Sequence, residues 1–141
     1  MKNVLKLTAT LALVALLGGP LNTSPALAQD DGTVFEMRTY TSTPGNFDAL
    51  LTRFRDHTMR IFAKHGMTNI GYWIPTDEEL SQNTLVYILK HDSQDAATAS
   101  WRAFISDPEW QEVDQASNAD GAILQNIERQ FMTAADFSQI Q

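Results

Sequence analysis

The chain has no cysteine in 141 residues. That removes disulfides, thiolate nucleophiles and a lipid-modified N-terminal cysteine. Basic residues are scarce: 10 Lys and Arg stand against 17 Asp and Glu, a formal net charge of −7. Nucleic acid and anionic lipid both demand a basic surface, so neither is expected as a partner. No Gly-x-Ser-x-Gly elbow, phosphate-cradling glycine loop or His-Glu-x-x-His run occurs, which speaks against hydrolase, kinase and zinc-protease chemistry. The acidic stretch Asp77-Glu78-Glu79 lacks the alternating spacing of a calcium loop, and no metal site is expected. No apolar run reaches the ~20 residues needed to span a bilayer.

The longest apolar run does carry information. Leu7 to Leu17 follows Lys2 and Lys6 and precedes a small-x-small site, Ala26-Leu27-Ala28. This is the pattern of a secretory signal over residues 1–28. Export is expected, with cleavage after Ala28 and a mature Gln29–Gln141 in a periplasm, free of the membrane once cut. Cleavage removes two basic residues and no acid, leaving −9 on the mature chain. Its 113 residues suffice for one domain with one core.

Within that domain, Val34 to Gly45 is the most informative stretch. Strict alternation puts Glu36, Arg38 and Tyr40 on one strand face, with Phe35 and Met37 on the other. An acid, a guanidinium and a phenol in register suit a polar-lined cavity, and equally a solvated face. Thr43-Pro44-Gly45 then opens a helix, with Thr43 as N-cap and Pro44 at its first position. Phe47, Leu50, Phe54, His57 and Ile61 form its inward stripe, and Lys64-His65-Gly66 ends it. Thr68 to Ile74 and Thr84 to Lys90 read as antiparallel strands joined by an acidic loop. Ser93 caps a second helix with Ala97, Trp101, Phe104 and Ile105 inward. Asp107-Pro108-Glu109 restarts it with Trp110 and Val113 inward, and a last strand falls within Ile123 to Met132.

The order βαββαβ with right-handed crossovers predicts an α+β, ferredoxin-like fold: a four-stranded antiparallel sheet with both helices on one face. Tyr40, Trp73 and Tyr87 are expected on the uncovered face. Large aromatics there call for a second subunit, so a C2 homodimer stacking its open faces into a dimeric α/β barrel is expected.

With these pieces in place, the chain resembles the NIPSNAP family of the dimeric α/β-barrel superfamily. The resemblance rests on Phe35-Glu36-Met37-Arg38-Thr39-Tyr40 with Pro44-Gly45, Lys64-His65-Gly66 and Gly71-Tyr72-Trp73. It continues through Asn83 with Leu85-Val86-Tyr87, Trp101, and Asp107-Pro108-Glu109-Trp110. Three departures stand out. Ala97 takes the place of a common family arginine four residues before Trp101, and Gln139 takes the place of a proline in the closing segment. The export signal also differs from the mitochondrial address of animal members, so mitochondrial roles do not carry over. The resemblance implies an architecture that places small, often hydrophobic ligands between sheet and helices or inside the barrel. Relatives in the superfamily include cofactor-independent monooxygenases, lactone isomerases and haem-handling enzymes.

His57 on the inward stripe is an acid/base candidate or a haem ligand, and alternatively a hydrogen-bonded core histidine. His65 is about 12 Å further along the axis at 1.5 Å per residue, too far to share a metal, and reads as a helix-end cation. His91 reads as exposed. Arg38 and Tyr40 would hold a ligand carboxylate or enolate, with Glu36, Trp73 and Tyr87 lining the cleft. Alternatively, Glu36 and Arg38 serve only to fix the dimer's register. The leading reading is a small-molecule cleft of oxygenase or isomerase type that needs no cofactor, with haem as the one cofactor kept open. Its rival is a non-catalytic ligand-binding or protein-interaction module.

Overall fold

The computed structural model describes residues 32–141. The signal sequence expected over 1–28 lies outside them. The elements run β1 (Val34–Ser42), α1 (Phe47–Arg53), a π-helical turn (Phe54–Thr58), α2 (Met59–Lys64) and β2 (Thr68–Trp73). After a short 3-10 turn (Leu80–Gln82) come β3 (Thr84–His91), α3 (Gln94–Ser106), α4 (Pro108–Ser117) and β4 (Leu124–Met132). The four strands form one antiparallel sheet in the order β2-β3-β1-β4. This is the expected ferredoxin-like arrangement, with the long β1 and β3 at its centre.

Local chemistry explains most boundaries. Ser93 accepts a hydrogen bond from the Ala96 N–H at 3.0 Å and Asp107 one from Glu109 at 2.9 Å, so both act as N-caps as expected. Gly66, at φ +76°, ends α2, with the Met67 N–H returning to the Phe62 carbonyl at 3.0 Å. The first helix begins later than Thr43. Gly45 has φ +79° and the Asn46 N–H bonds the Thr43 carbonyl at 3.1 Å. Thr43-Pro44-Gly45-Asn46 is therefore a type II turn, with proline second and glycine third. The helix starts at Phe47 behind Asn46.

The core lies between sheet and helices. Leu50, Phe54, Ile61, Phe62, Met67, Leu85, Leu89 and Phe104 are all buried in it. Tyr40 and Tyr87 join them at 7% and 0% exposure, so they face the helices, not the open side. Pairing of Arg38 with Tyr87 and of Tyr72 with Tyr87 puts those three on the helix-covered face. Alternation alone gives two faces; it does not say which of them a helix covers. Trp73, paired with Val86, does lie on the open face, 50% exposed and folded over Gly71.

Candidate functional site

Each of the even-numbered β1 side chains that drew attention in the sequence ends in the layer between sheet and helices. Glu36 is fully buried and gathers three donors around one carboxylate. Arg38 Nε donates to it at 2.8 Å, Trp101 Nε1 at 2.6 Å, and His91 Nε2 lies at 3.0 Å. Burial alone would raise the Glu36 pKa. The bonds from His91 and Trp101 and the charge of Arg38 outweigh it, and the net direction is down. The acid is therefore held as a carboxylate beneath the guanidinium.

Arg38 is fixed on three sides. Its Nη1 donates to the Tyr40 hydroxyl at 3.2 Å, and its guanidinium carbon lies 3.6 Å from the centre of the Trp101 ring. A planar cation stacked on an indole and pinned by a carboxylate has little freedom left. Tyr40 in turn stands edge-on to Phe54 and Tyr87 at 5.7 and 5.2 Å. Burial, with Tyr40 alongside, drives the Tyr87 phenol well above its ordinary pKa, so it stays neutral.

Above these groups is a cavity of about 310 Å³. Arg38 and Tyr40 form its floor, Phe54, Phe62, Phe104 and Trp110 its walls, and Ile105, 61% exposed, its rim. The π-helical turn shapes the far side. One residue more than the α-helical count within that turn rotates the rest of the helix by about a quarter turn. As a result Thr58, not His57, continues the inward stripe after Phe54, with its hydroxyl donating to the Arg53 carbonyl at 3.1 Å. Arg53, the last residue of α1, faces inward three residues after Leu50 and is 5% exposed, its Nη1 donating to Asp114 and Ser117 at 3.3 and 3.1 Å.

The expected residues thus separate. Glu36, Arg38, Tyr40 and Tyr87 cluster in one layer, and Arg38 and Tyr40 reach the cavity. His57 is exposed and lines a shallow outer groove with Glu112 and Val113. Its inward placement assumed an unbroken α-helix, which the π turn breaks. Trp73 is on the other sheet face and does not line the cleft. His91, expected exposed, is 2% exposed and bound to Glu36. His65 does act at the helix end, 2.6 Å from Asp107, which Lys64 also contacts at 2.7 Å.

Sequence reading missed His91, Trp101 and Arg53 as members of this site. The first two lie 55 and 65 residues from Glu36, beyond any local periodicity. A strand-end His ahead of a helix carrying Trp was the one available signal. Haem fits poorly. No free imidazole faces the cleft, because His57 is outside and His91 is engaged by Glu36. Among the described residues, no group of three or more His, Asp or Glu could hold a metal ion.

The NIPSNAP family model matches residues 35–139, from the start of β1 to the closing segment. The chain belongs to the NIPSNAP family. Solved NIPSNAP structures share its fold. A NIPSNAP family protein of unknown function from Agrobacterium tumefaciens is 23% identical, with a TM-score of 0.67 over 79% of this chain and 96% of that one. An uncharacterised NIPSNAP-like domain protein from Burkholderia xenovorans is 18% identical, with a TM-score of 0.66 over 77% and 90%. SnoaB, a cofactor-independent oxygenase from Streptomyces nogalater, is 18% identical over 78% and 99% at a TM-score of 0.46, too distant a likeness to bear on chemistry. No curated protein matches. In this NIPSNAP chain β1 is the strand that supplies the anchored guanidinium.

Proposed function

We propose that the mature chain, Gln29–Gln141, is an exported homodimer that takes a small organic molecule into the cleft between its sheet and helices. The observation that carries this reading is the anchored Arg38. A guanidinium needed only for folding has no reason to form the floor of a cavity of about 310 Å³ walled by aromatic rings. That volume is near the lower end of the ~300–1,000 Å³ usual for ligand pockets, which favours a ligand of one or two rings. Arg38 and the Tyr40 hydroxyl would stabilise a carboxylate or enolate oxygen without cofactor help. This is the demand of oxygenase- or isomerase-type reactions on an enolisable compound. The open sheet face, with Trp73 half exposed beside Val86 and Ile88, supports a second copy covering it.

A second reading, a non-catalytic binding module, is favoured by one specific feature. Among the cavity-lining residues the carboxylate is Asp114, and it is already tied to Arg53 and to Asn118 at 3.0 Å. The cleft therefore holds developing charge better than it moves a proton.

Native mass spectrometry of the protein purified from its exported compartment tests the common core of both. A dimer with a retained small mass is expected; a monomer with none would overturn the reading. Incubating the retained ligand with excess protein in air then separates the two. A changed ligand mass means turnover, an unchanged one means binding alone.

A further inference from the structure

We infer that the cleft selects a flat aromatic monocarboxylate, held with its carboxylate between the guanidinia of Arg38 and Arg53 and its ring against the aromatic walls. The inference rests on the proposed cleft and adds the charge and shape of the ligand.

Charge is the first support. The chain as a whole carries −7, yet three guanidinia line this one cavity: Arg38, Arg53 and Arg129, the last paired across the sheet with Arg38. Asp114 at the wall and Glu36 beneath Arg38 offset two of them. Arg129, exposed on β4 at the cavity's edge, is the guanidinium left over, so the cavity as a whole carries one net positive charge, which matches a monoanion better than a phosphate dianion.

Unused donors are the second. Arg53 Nε is buried with no hydrogen-bond partner, in a residue only 5% exposed and lining the cavity. A buried guanidinium donor without a partner is costly to the fold, and a small turn of the Arg53 side chain would offer it to a carboxylate oxygen in the cavity. Arg38 has Nε committed to Glu36 and Nη1 to Tyr40. Among its described bonds Nη2 is its uncommitted donor. Arg53 reaches the cavity from a helix and Arg38 from the sheet.

The walls are the third. Phe54, Phe62, Phe104 and Trp110 present ring faces and edges to the cavity, and the Arg53 guanidinium lies 5.2 Å from the Trp110 ring centre. Flat apolar bodies are what such walls take up.

Calorimetric titration of the mature protein with 2-naphthoate and with its neutral isostere 2-naphthamide tests this. Naphthoate should bind at least about tenfold more tightly, roughly 1.4 kcal/mol. Arg53→Met should reduce naphthoate to the level of the amide. Equal or tighter binding of the amide to the wild-type protein would overturn the charge assignment yet leave the cleft reading standing. The wild-type comparison decides this even if Arg53→Met fails to fold. Displacement of naphthoate by an equal concentration of inorganic phosphate would overturn the aromatic class. If neither probe binds, the inference fails, and the retained mass in native spectrometry decides whether the cleft reading fails with it.

Discussion

Replacing Glu36 with glutamine is the sharpest probe of the buried network. The side chain keeps its shape and loses its charge. Glu36 is 0% exposed and meets three donors, from Arg38, Trp101 and His91. A glutamine oxygen can satisfy two of them, while its NH2 group must face the third, donor against donor. Arg38, 8% exposed, loses its counter-charge at the same time. Breaking a buried pair by removing one partner costs about 3–5 kcal/mol. Because Arg38 borders the cavity and can turn toward it, the low end, about 3 kcal/mol, is expected. Against a typical stability of ~5–15 kcal/mol that is a large fraction. At ~4 °C per kcal/mol it lowers Tm by roughly 12 °C. Urea unfolding of wild type, Glu36→Gln, Arg38→Met and the double variant would measure it. The double variant removes both charges, so it should cost less than the sum of the singles, by about 1–3 kcal/mol. A Glu36→Gln loss under about 1 kcal/mol, or strictly additive costs, would refute the claim that the carboxylate holds the guanidinium.

Four further outcomes are expected. His57→Ala, at an exposed position, should change stability by no more than about 0.5 kcal/mol and leave naphthoate affinity unchanged, checked by melting and calorimetry. Tyr40→Phe removes the hydroxyl that accepts from Arg38 and should cost about 1 kcal/mol in urea unfolding. Gly66→Ala forces a side chain onto φ +76° and should cost about 1–2 kcal/mol by the same assay. Acid should destabilise the fold in a definite direction. Glu36 is held below its ordinary value of 4.5, and hydrogen bonds from Lys64 first, then His65, hold Asp107 below 3.8. The unfolded chain therefore takes up protons first as pH falls, so this stability is complete above those ordinary values and lost on going below them. Asp107→Asn keeps a capping side chain but removes the charge, and its Tm should fall less steeply in that acid range.

Much of the fold was legible because its signals are local. The period of β1, the caps Ser93 and Asp107, and the glycine at the end of α2 each act within a few residues, and each appears where the sequence placed it. The start of α1 misled because proline suits both a first helical turn and the second place of a type II turn; Gly45 after it decides for the turn. His57 misled for a deeper reason. A π turn changes the count of residues per turn without a marker in composition, so Thr58 takes the inward place expected of His57, while Ile61 stays inward as expected. The site was half legible. Glu36, Arg38 and Tyr40 share one strand and could be read together. His91, Trp101 and Arg53 reach the same layer from three other elements, and only the register of β1 on β3 and the packing of the helices bring them there.

The three tryptophans provide the most direct test of a cleft between sheet and helices. Trp101 and Trp110 line the cavity, while Trp73 lies on the opposite face of the sheet. Titrating 2-naphthoate into the nitrogen-15-labelled mature protein and tracking the indole N–H resonances reads both faces in one spectrum. Saturable shifts at Trp101 and Trp110 with Trp73 unmoved are the predicted result. Shifts confined to Trp73, or none at all up to saturating ligand, would contradict the placement of the site.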